Sequence, residues 1–153
     1  MSTITEIVEV DVPVSTAYNQ WTQFESFPQF MEGVEEIRQL DATHTHWVTK
    51  VGGVKREFDA RITEQHPDER VAWSSTDGPD HAGVITFHRI AEDKTRVTAQ
   101  MEIDPEGFVE NVADKLGVLG HRVKADMRRF KEFVEHQGHE TGGWRGNVDP
   151  PRG

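Results

Sequence analysis

Arg56 is the first residue whose chemistry stands out. It shares a strand phase with Val54, Phe58, Ala60 and Ile62, so a regular strand points its guanidinium inward among apolar side chains. A buried guanidinium needs a carboxylate or the polar head of a ligand. A bulge near Gly52-Gly53 would instead turn it to solvent, and both readings stay open. Ser75, in the run Ser74-Ser75-Thr76 after Trp73, offers a hydroxyl that can orient a bound molecule. As a nucleophile it would need a paired histidine and a third, orienting group; the sequence assigns neither, and no catalytic residue is named. His44 and His46 share a strand face, and His136 and His139 lie near a helix end. Each pair lacks a third ligand at convincing spacing, so solvent-exposed imidazoles are expected, with no metal and no cofactor.

A second set is aromatic: Trp21, Phe24, Phe27, Phe30, Trp47, Phe58, Trp73 and Phe87. Large rings either fill a core or line a hollow. With Met101 on a strand and Leu116, Leu119 and Val123 on a helix, they make the candidate wall of a ligand site. The basic stretch His121-Arg122-Val123-Lys124, with Arg128, Arg129 and Lys131, reads as the solvated face of that helix, or alternatively as a surface for an acidic partner.

The elements that must carry these residues are legible from periodicity. Ile4, Val8, Val10 and Val12 alternate with polar positions, the pattern of a half-buried strand. Pro13 ends it, and Ser15 is expected to N-cap a short helix through Trp21. Phe24-Glu25-Ser26-Phe27-Pro28-Gln29-Phe30-Met31 suits a short, broken second helix. Turn signals at Asp41-Ala42-Thr43, Gly52-Gly53, His66-Pro67-Asp68, Asp77-Gly78-Pro79-Asp80 and Glu92-Asp93-Lys94 separate strands expected near 34–40, 45–51, 54–65, 69–76, 82–90 and 95–104. Punctuation this short implies antiparallel hairpins.

Asp104-Pro105-Glu106-Gly107 opens a long helix to about Gly138. Its apolar stripe is Phe108, Val112, Leu116, Leu119, Val123, Met127, Phe130 and Val134, stepping by threes and fours. Gly117 and Gly120 beside the stripe imply close packing on a strand, or room and flexibility under the helix. The fold expected is α+β: a curved, antiparallel seven-stranded sheet wrapped around one long C-terminal helix, with two short helices after strand 1. Residues 1–138 make the single domain, and 139–153, rich in Gly and Pro, a flexible tail.

Composition narrows the partners. Across 153 residues, Lys+Arg is 17 and Asp+Glu is 27, a net charge of −10. That balance argues against nucleic acid, whose affinity comes from counterion release onto basic residues, and against a polybasic membrane patch. The chain has no cysteine, which removes thiol nucleophiles, thiolate metal sites and disulfides. The opening MSTITEIVEVDV lacks a basic start and an apolar core, so no signal peptide, no membrane insertion and a cytoplasmic location are expected.

The order of elements, with Val10-Asp11-Val12-Pro13 leading into a helix that ends at Trp21, resembles the START/Bet v 1-like (SRPBCC) helix-grip superfamily. Within it, the segments Phe24 to Met31, Ile62 to Trp73 and Lys94 to Thr98 most resemble the bacterial polyketide cyclase/dehydrase and coenzyme-Q-binding type proteins. The likeness covers residues from about 3 to 137, and Gly142-Gly143-Trp144-Arg145-Gly146 is similar to tails on small actinobacterial members. The resemblance implies a deep cavity between sheet and C-terminal helix for a lipid, quinone or polyketide-like molecule, with the Phe24 to Phe30 segment at its mouth as a lid. Aromatase/cyclases of the family carry an arginine and a tyrosine inside the cavity, where the matching positions here hold Ile62 and Val34. The single tyrosine, Tyr18, lies on the first helix. The function expected is binding or transport of a small hydrophobic ligand by burial. The alternatives are a polyketide aromatase/cyclase or dehydratase, and a protein-interaction factor with a filled core.

Overall fold

The alternation of Ile4, Val8 and Val10 builds the edge strand β1 (Ser2–Val10), and Pro13 ends the extended run. The computed structural model of the chain describes residues 2–51, 54–78, 81–103 and 115–137. Helix α1 spans Val14–Trp21. Ser15, expected as its N-cap, sits inside the first turn instead. Pro13 holds the cap position at φ −60° and ψ 152° with no side-chain cap, and its carbonyl accepts the first helical bond from Ala17 N–H at 3.1 Å. The fixed φ of proline pre-sets the chain for a helix starting one residue later. Phe24–Gln29 then forms a 3₁₀ helix with Pro28 inside it.

Six strands follow: β2 (Val34–Gln39), β3 (His44–Val51), β4 (Val54–His66), β5 (Arg70–Ser75), β6 (His81–Ala91) and β7 (Lys94–Ile103). Together with β1 they form one sheet in the order β1-β7-β6-β5-β4-β3-β2, every neighbouring pair antiparallel. Register shifts between Val34 and Glu36, Ile62 and Glu64, and Arg89 and Ala91 bend and twist strands, giving the sheet a concave face. The expected phases hold on that face. Thr95, Val97, Ala99, Met101 and Ile103 are all buried, as are Phe58, Ala60 and Ile62 on β4.

Helix α2 (Lys115–Gln137) lies in the concavity. Leu119, Met127, Phe130 and Val134 of its apolar stripe are buried, and Val123 packs half-buried against the same cluster. The helix-opening signal at residues 104–107, the stripe residues Phe108 and Val112, the side chain of Leu116, the Gly52-Gly53 turn, Pro79-Asp80 and the segment 139–153 lie outside the described residues. Polar ties among the described residues help to hold α2 in place. Asp11 N–H donates to Glu135 Oε2 at 2.6 Å; Arg129 Nε donates to Phe30 O at 3.1 Å. This is the helix-grip fold expected of the sequence.

Gly120 does not serve close packing. A Cβ at this position would meet nothing within 4 Å, so the glycine only forfeits helix propensity. Gly120→Ala is expected to raise stability by roughly 0.5–1 kcal/mol in urea melts. A lower midpoint would show that this stretch of α2 must deform.

On the convex face the histidine pair splits. His44 is exposed beside Asp41 at 2.9 Å, whereas His46 is held by Asp59 Oδ1 at 2.7 Å and Glu57 Oε1 at 3.3 Å. His46 is therefore not the free, solvent-exposed imidazole expected. The hydrogen bond to Asp59 raises its pKa above the usual histidine value; burial and Arg38 oppose, while Glu57 assists. A raised folded-state value means that the protonated form stabilises the fold below the unfolded pKa of about 6.5 and that this increment fades as pH rises through the folded value. His46→Gln is expected to destabilise more at pH 5.5 than at pH 8.5 in denaturant melts; equal losses at both would exclude the charge.

Candidate functional site

The concave face carries a row of paired positions across four strands: Ile62 on β4 faces Trp73 on β5, Trp73 faces Gly83 on β6, and Gly83 faces Met101 on β7. Gly83 is the gap in that row. A Cβ there would stand 2.5 Å from Trp73 Cζ2 and 2.9 Å from Met101 Sδ, well inside contact distance. The absent side chain lets the indole and the thioether lie over the β6 backbone.

The indole so placed is part of an aromatic wall. Trp47 stacks on Phe58 and on Trp73, each at a centroid separation of 5.7 Å. The His81 ring packs against Trp47 at 5.4 Å and Phe58 at 5.5 Å. Trp47 Nε1 donates to Thr45 Oγ1 at 2.8 Å, and Trp73 Nε1 to His81 Nδ1 at 3.3 Å. Nδ1 thus accepts, which places the imidazole proton on Nε2. Burial pushes the His81 pKa down to about 4, so the ring is neutral at pH 7.

Between this wall and α2 lies a hollow of about 80 Å³. Among the described residues its sheet side is Trp47, Thr49, Trp73, His81, Met101 and Ile103; Met31, Gly33 and Val34 close one end. Its helix side is Leu119, Arg122, Val123, Asp126 and Met127. The surface is overwhelmingly apolar, with side-chain polar groups among the described residues from Thr49, His81, Arg122 and Asp126. Burial raises the Asp126 pKa, against the lowering effects of Arg129, the Glu32 N–H and Arg122. Glu32 N–H reaches Asp126 Oδ1 at 3.3 Å, and Arg129 Nη2 donates to the same oxygen.

Of the wall expected from the sequence, Trp47, Trp73, Met101, Leu119 and Val123 line this hollow. Trp21, Phe27, Phe30, Phe58 and Phe87 stand outside it as closed core, none more than 6% exposed. Trp21 packs on Phe27 at 5.0 Å and on Phe130 at 4.9 Å, so the rings between Trp21 and Phe30 brace the helix and form no lid over the hollow. Phe24 is buried and edges a separate, outward cleft with Gln23, Glu25, Gln39 and Gln65. Arg56 keeps the phase of Phe58 and is half-buried, with Nη1 donating to Lys55 O at 3.1 Å; it is not among the described residues that line the hollow. Ser75 acts indirectly: its Oγ accepts the His81 N–H at 3.1 Å. Leu116 falls where side chains are not described. Among the described residues no group of three or more His, Asp or Glu is placed to hold a metal ion.

The sequence reading missed His81, Asp126, Met31, Met127 as a lining residue, and Gly83. The available signal for Gly83 was a glycine inside the strand pattern Ala82 to Ile90, which marks close approach of another group. Gly83→Ala is expected to displace Trp73 or Met101 and to cost about 1–3 kcal/mol as overpacking. The near-ultraviolet circular dichroism of the tryptophans should change with it; an unaltered spectrum with unaltered stability would contradict the contact.

A family model described as polyketide cyclase/dehydrase and lipid transport matches residues 10–132. An uncharacterized 17.2 kDa protein from the melC2-rnhH intergenic region of Streptomyces lincolnensis is 59% identical over 149 residues, covering 97% of this chain and 99% of that one. Among solved structures, a START superfamily protein from Mycobacterium smegmatis superposes with a TM-score of 0.76 at 12% identity, covering 88% of this chain and 98% of that one. The Zhui aromatase/cyclase from Streptomyces sp. R1128 does so with a TM-score of 0.73 at 12% identity, covering 94% and 99%. These two likenesses concern the fold alone. No described helix is long and apolar enough to cross a membrane. With most of its length matched by the family model and its sheet closed around α2, the chain belongs to the polyketide cyclase/dehydrase and lipid transport family.

Proposed function

We propose that the protein binds a small apolar molecule with a flat ring (a quinone, a polyketide-like compound or a lipid with an unsaturated head) between the Trp47–Trp73–His81 wall and α2. One observation carries this reading. The chain has four methionines including Met1, and the other three, Met31, Met101 and Met127, all line the hollow. Thioether side chains are unbranched and polarizable; they fill irregular gaps, favour aromatic faces and re-pack at low cost. The hollow, about 80 Å³, is smaller than the roughly 150 Å³ cavity that accepts benzene. A ligand therefore enters by pushing the methionines aside, and the hollow takes its shape from its guest.

A cyclase or dehydratase activity is the second reading, favoured by Asp126 and His81. A carboxyl whose pKa is raised by burial and a neutral imidazole share one apolar space, a pairing suited to moving a proton on a bound carbonyl compound.

The test is native mass spectrometry of freshly purified protein, followed by titration with 2-methyl-1,4-naphthoquinone read by tryptophan quenching. Absence of cysteine leaves no thiol to trap the quinone covalently. Saturable binding is expected, at least ten-fold weaker in Val123→Phe, which fills the hollow from the helix side. Equal affinity in that variant would move the site elsewhere. A clean apo mass with no binding would overturn the reading in favour of a filled-core interaction protein.

A further inference from the structure

Arg122 borders two spaces. On one side it lines the hollow; on the other it lines an outward groove along α2 together with Glu32, His121, Arg128 and Arg129. The groove offers about 590 Å³, and it gathers three arginines and one carboxylate on a chain whose net charge is −10. The two anions nearby are unequally engaged. Asp126, on the hollow side, already accepts from Arg129 Nη2 and Glu32 N–H. Glu32 is 68% exposed and stands 3.8 Å from Arg122 and 3.6 Å from Arg129, an ion pair of the solvent-screened kind that contributes little. Arg128 is exposed and has no carboxylate partner among the described residues.

We infer that the ligand is an amphiphile with an acidic head: its apolar part occupies the hollow, and a carboxylate or phosphate sits in the groove on Arg122, displacing Glu32, with Arg128 beside it. This rests on the hollow being a ligand site and adds the class of its ligand. The planar guanidinium fork of arginine suits both oxyanions, which it can meet through two parallel N–H bonds. Arg122 is the natural pivot because its side chain alone among these arginines touches both spaces. The apolar lining accounts for affinity, and the arginine accounts for which end of the molecule points out.

The experiment compares dodecanoate, dodecyl phosphate and dodecan-1-ol, each below its aggregation limit, by tryptophan fluorescence in the full chain. The wild type should prefer one or both acids over the alcohol by at least ten-fold, and added salt should shrink the preference. Whichever acid binds more tightly identifies the head. Arg122→Gln should remove the preference, so that in this variant the acids bind no better than the alcohol. Glu32→Gln, which removes the competing carboxylate from an exposed position, should strengthen acid binding several-fold and guards against misfolding of the arginine variant. Acid and alcohol binding equally well in the wild type would overturn the head-group site while leaving the hollow a ligand site. Failure of all three amphiphiles and of the naphthoquinone would overturn both.

Discussion

One helix has to cover the concave face of a seven-stranded sheet, and the rest of the structure follows from how incompletely it can do so. A sheet must bury one face, and a single cylinder about 10 Å across cannot fill a bent sheet of this breadth. The two halves of α2 meet that shortfall differently. Along its C-terminal half, rings from α1 and the 3₁₀ helix are inserted between helix and sheet. Phe130 packs on Trp21 at 4.9 Å and on Phe30 at 5.2 Å, and Phe133 on Phe30 at 5.4 Å. Along Leu119 to Met127 no ring from α1 or the 3₁₀ helix enters among the described residues, and Met31, Met101 and Met127 stand around the hollow. The hollow lies where the aromatic wedge ends.

The same constraint sets the electrostatics. The wedge ends at Phe30, whose carbonyl accepts from Arg129, and the next residues, Met31 to Gly33, turn across the end of the hollow. The Glu32 N–H then finds Asp126. Carboxylate and guanidinium are thereby drawn to the edge of an apolar space, where burial lifts the Asp126 pKa even with Arg129 attached. At the opposite wall, packing against Trp47 and Phe58 with an indole N–H on Nδ1 keeps His81 neutral. Polarity at this site is confined to a few groups whose protonation is governed by the surrounding rings.

Local patterns made much of the architecture readable. The alternation in β4 and β7, the turn dipeptides, and the three-and-four steps of Leu119, Val123, Met127, Phe130 and Val134 each report which face of one element is buried. They do not report which element lies opposite. Trp73, Gly83 and Met101 meet only through strand register, so neither the clash that Gly83 avoids nor the site of the hollow was visible. Asp126 lies between the basic residues read as a solvated helix face, and His81 directly follows the turn signal Asp77-Gly78-Pro79-Asp80; no periodic pattern marks either as facing the hollow. Among the aromatics, Trp47 and Trp73 line the hollow while Trp21, Phe27, Phe30, Phe58 and Phe87 stand in the core; residue type could not separate them, because a ring that packs a core and a ring that lines a hollow have the same composition and the same periodicity. Arg56 shows the converse: its phase was inward as read, but its place near the start of β4 lets the guanidinium reach Lys55 O.

The small volume of the hollow limits what it costs the fold. Empty volume in a core costs about 24 cal/mol per Å³, so the roughly 80 Å³ present here amounts to at most about 2 kcal/mol. A ligand-sized void of about 300 Å³ would cost roughly 7 kcal/mol on the same scale, comparable with the whole stability of a domain, about 5–15 kcal/mol. Around this hollow three thioethers stand over two indoles, and unbranched, polarizable side chains re-pack at lower cost than leucine or isoleucine, whose branching fixes their shape.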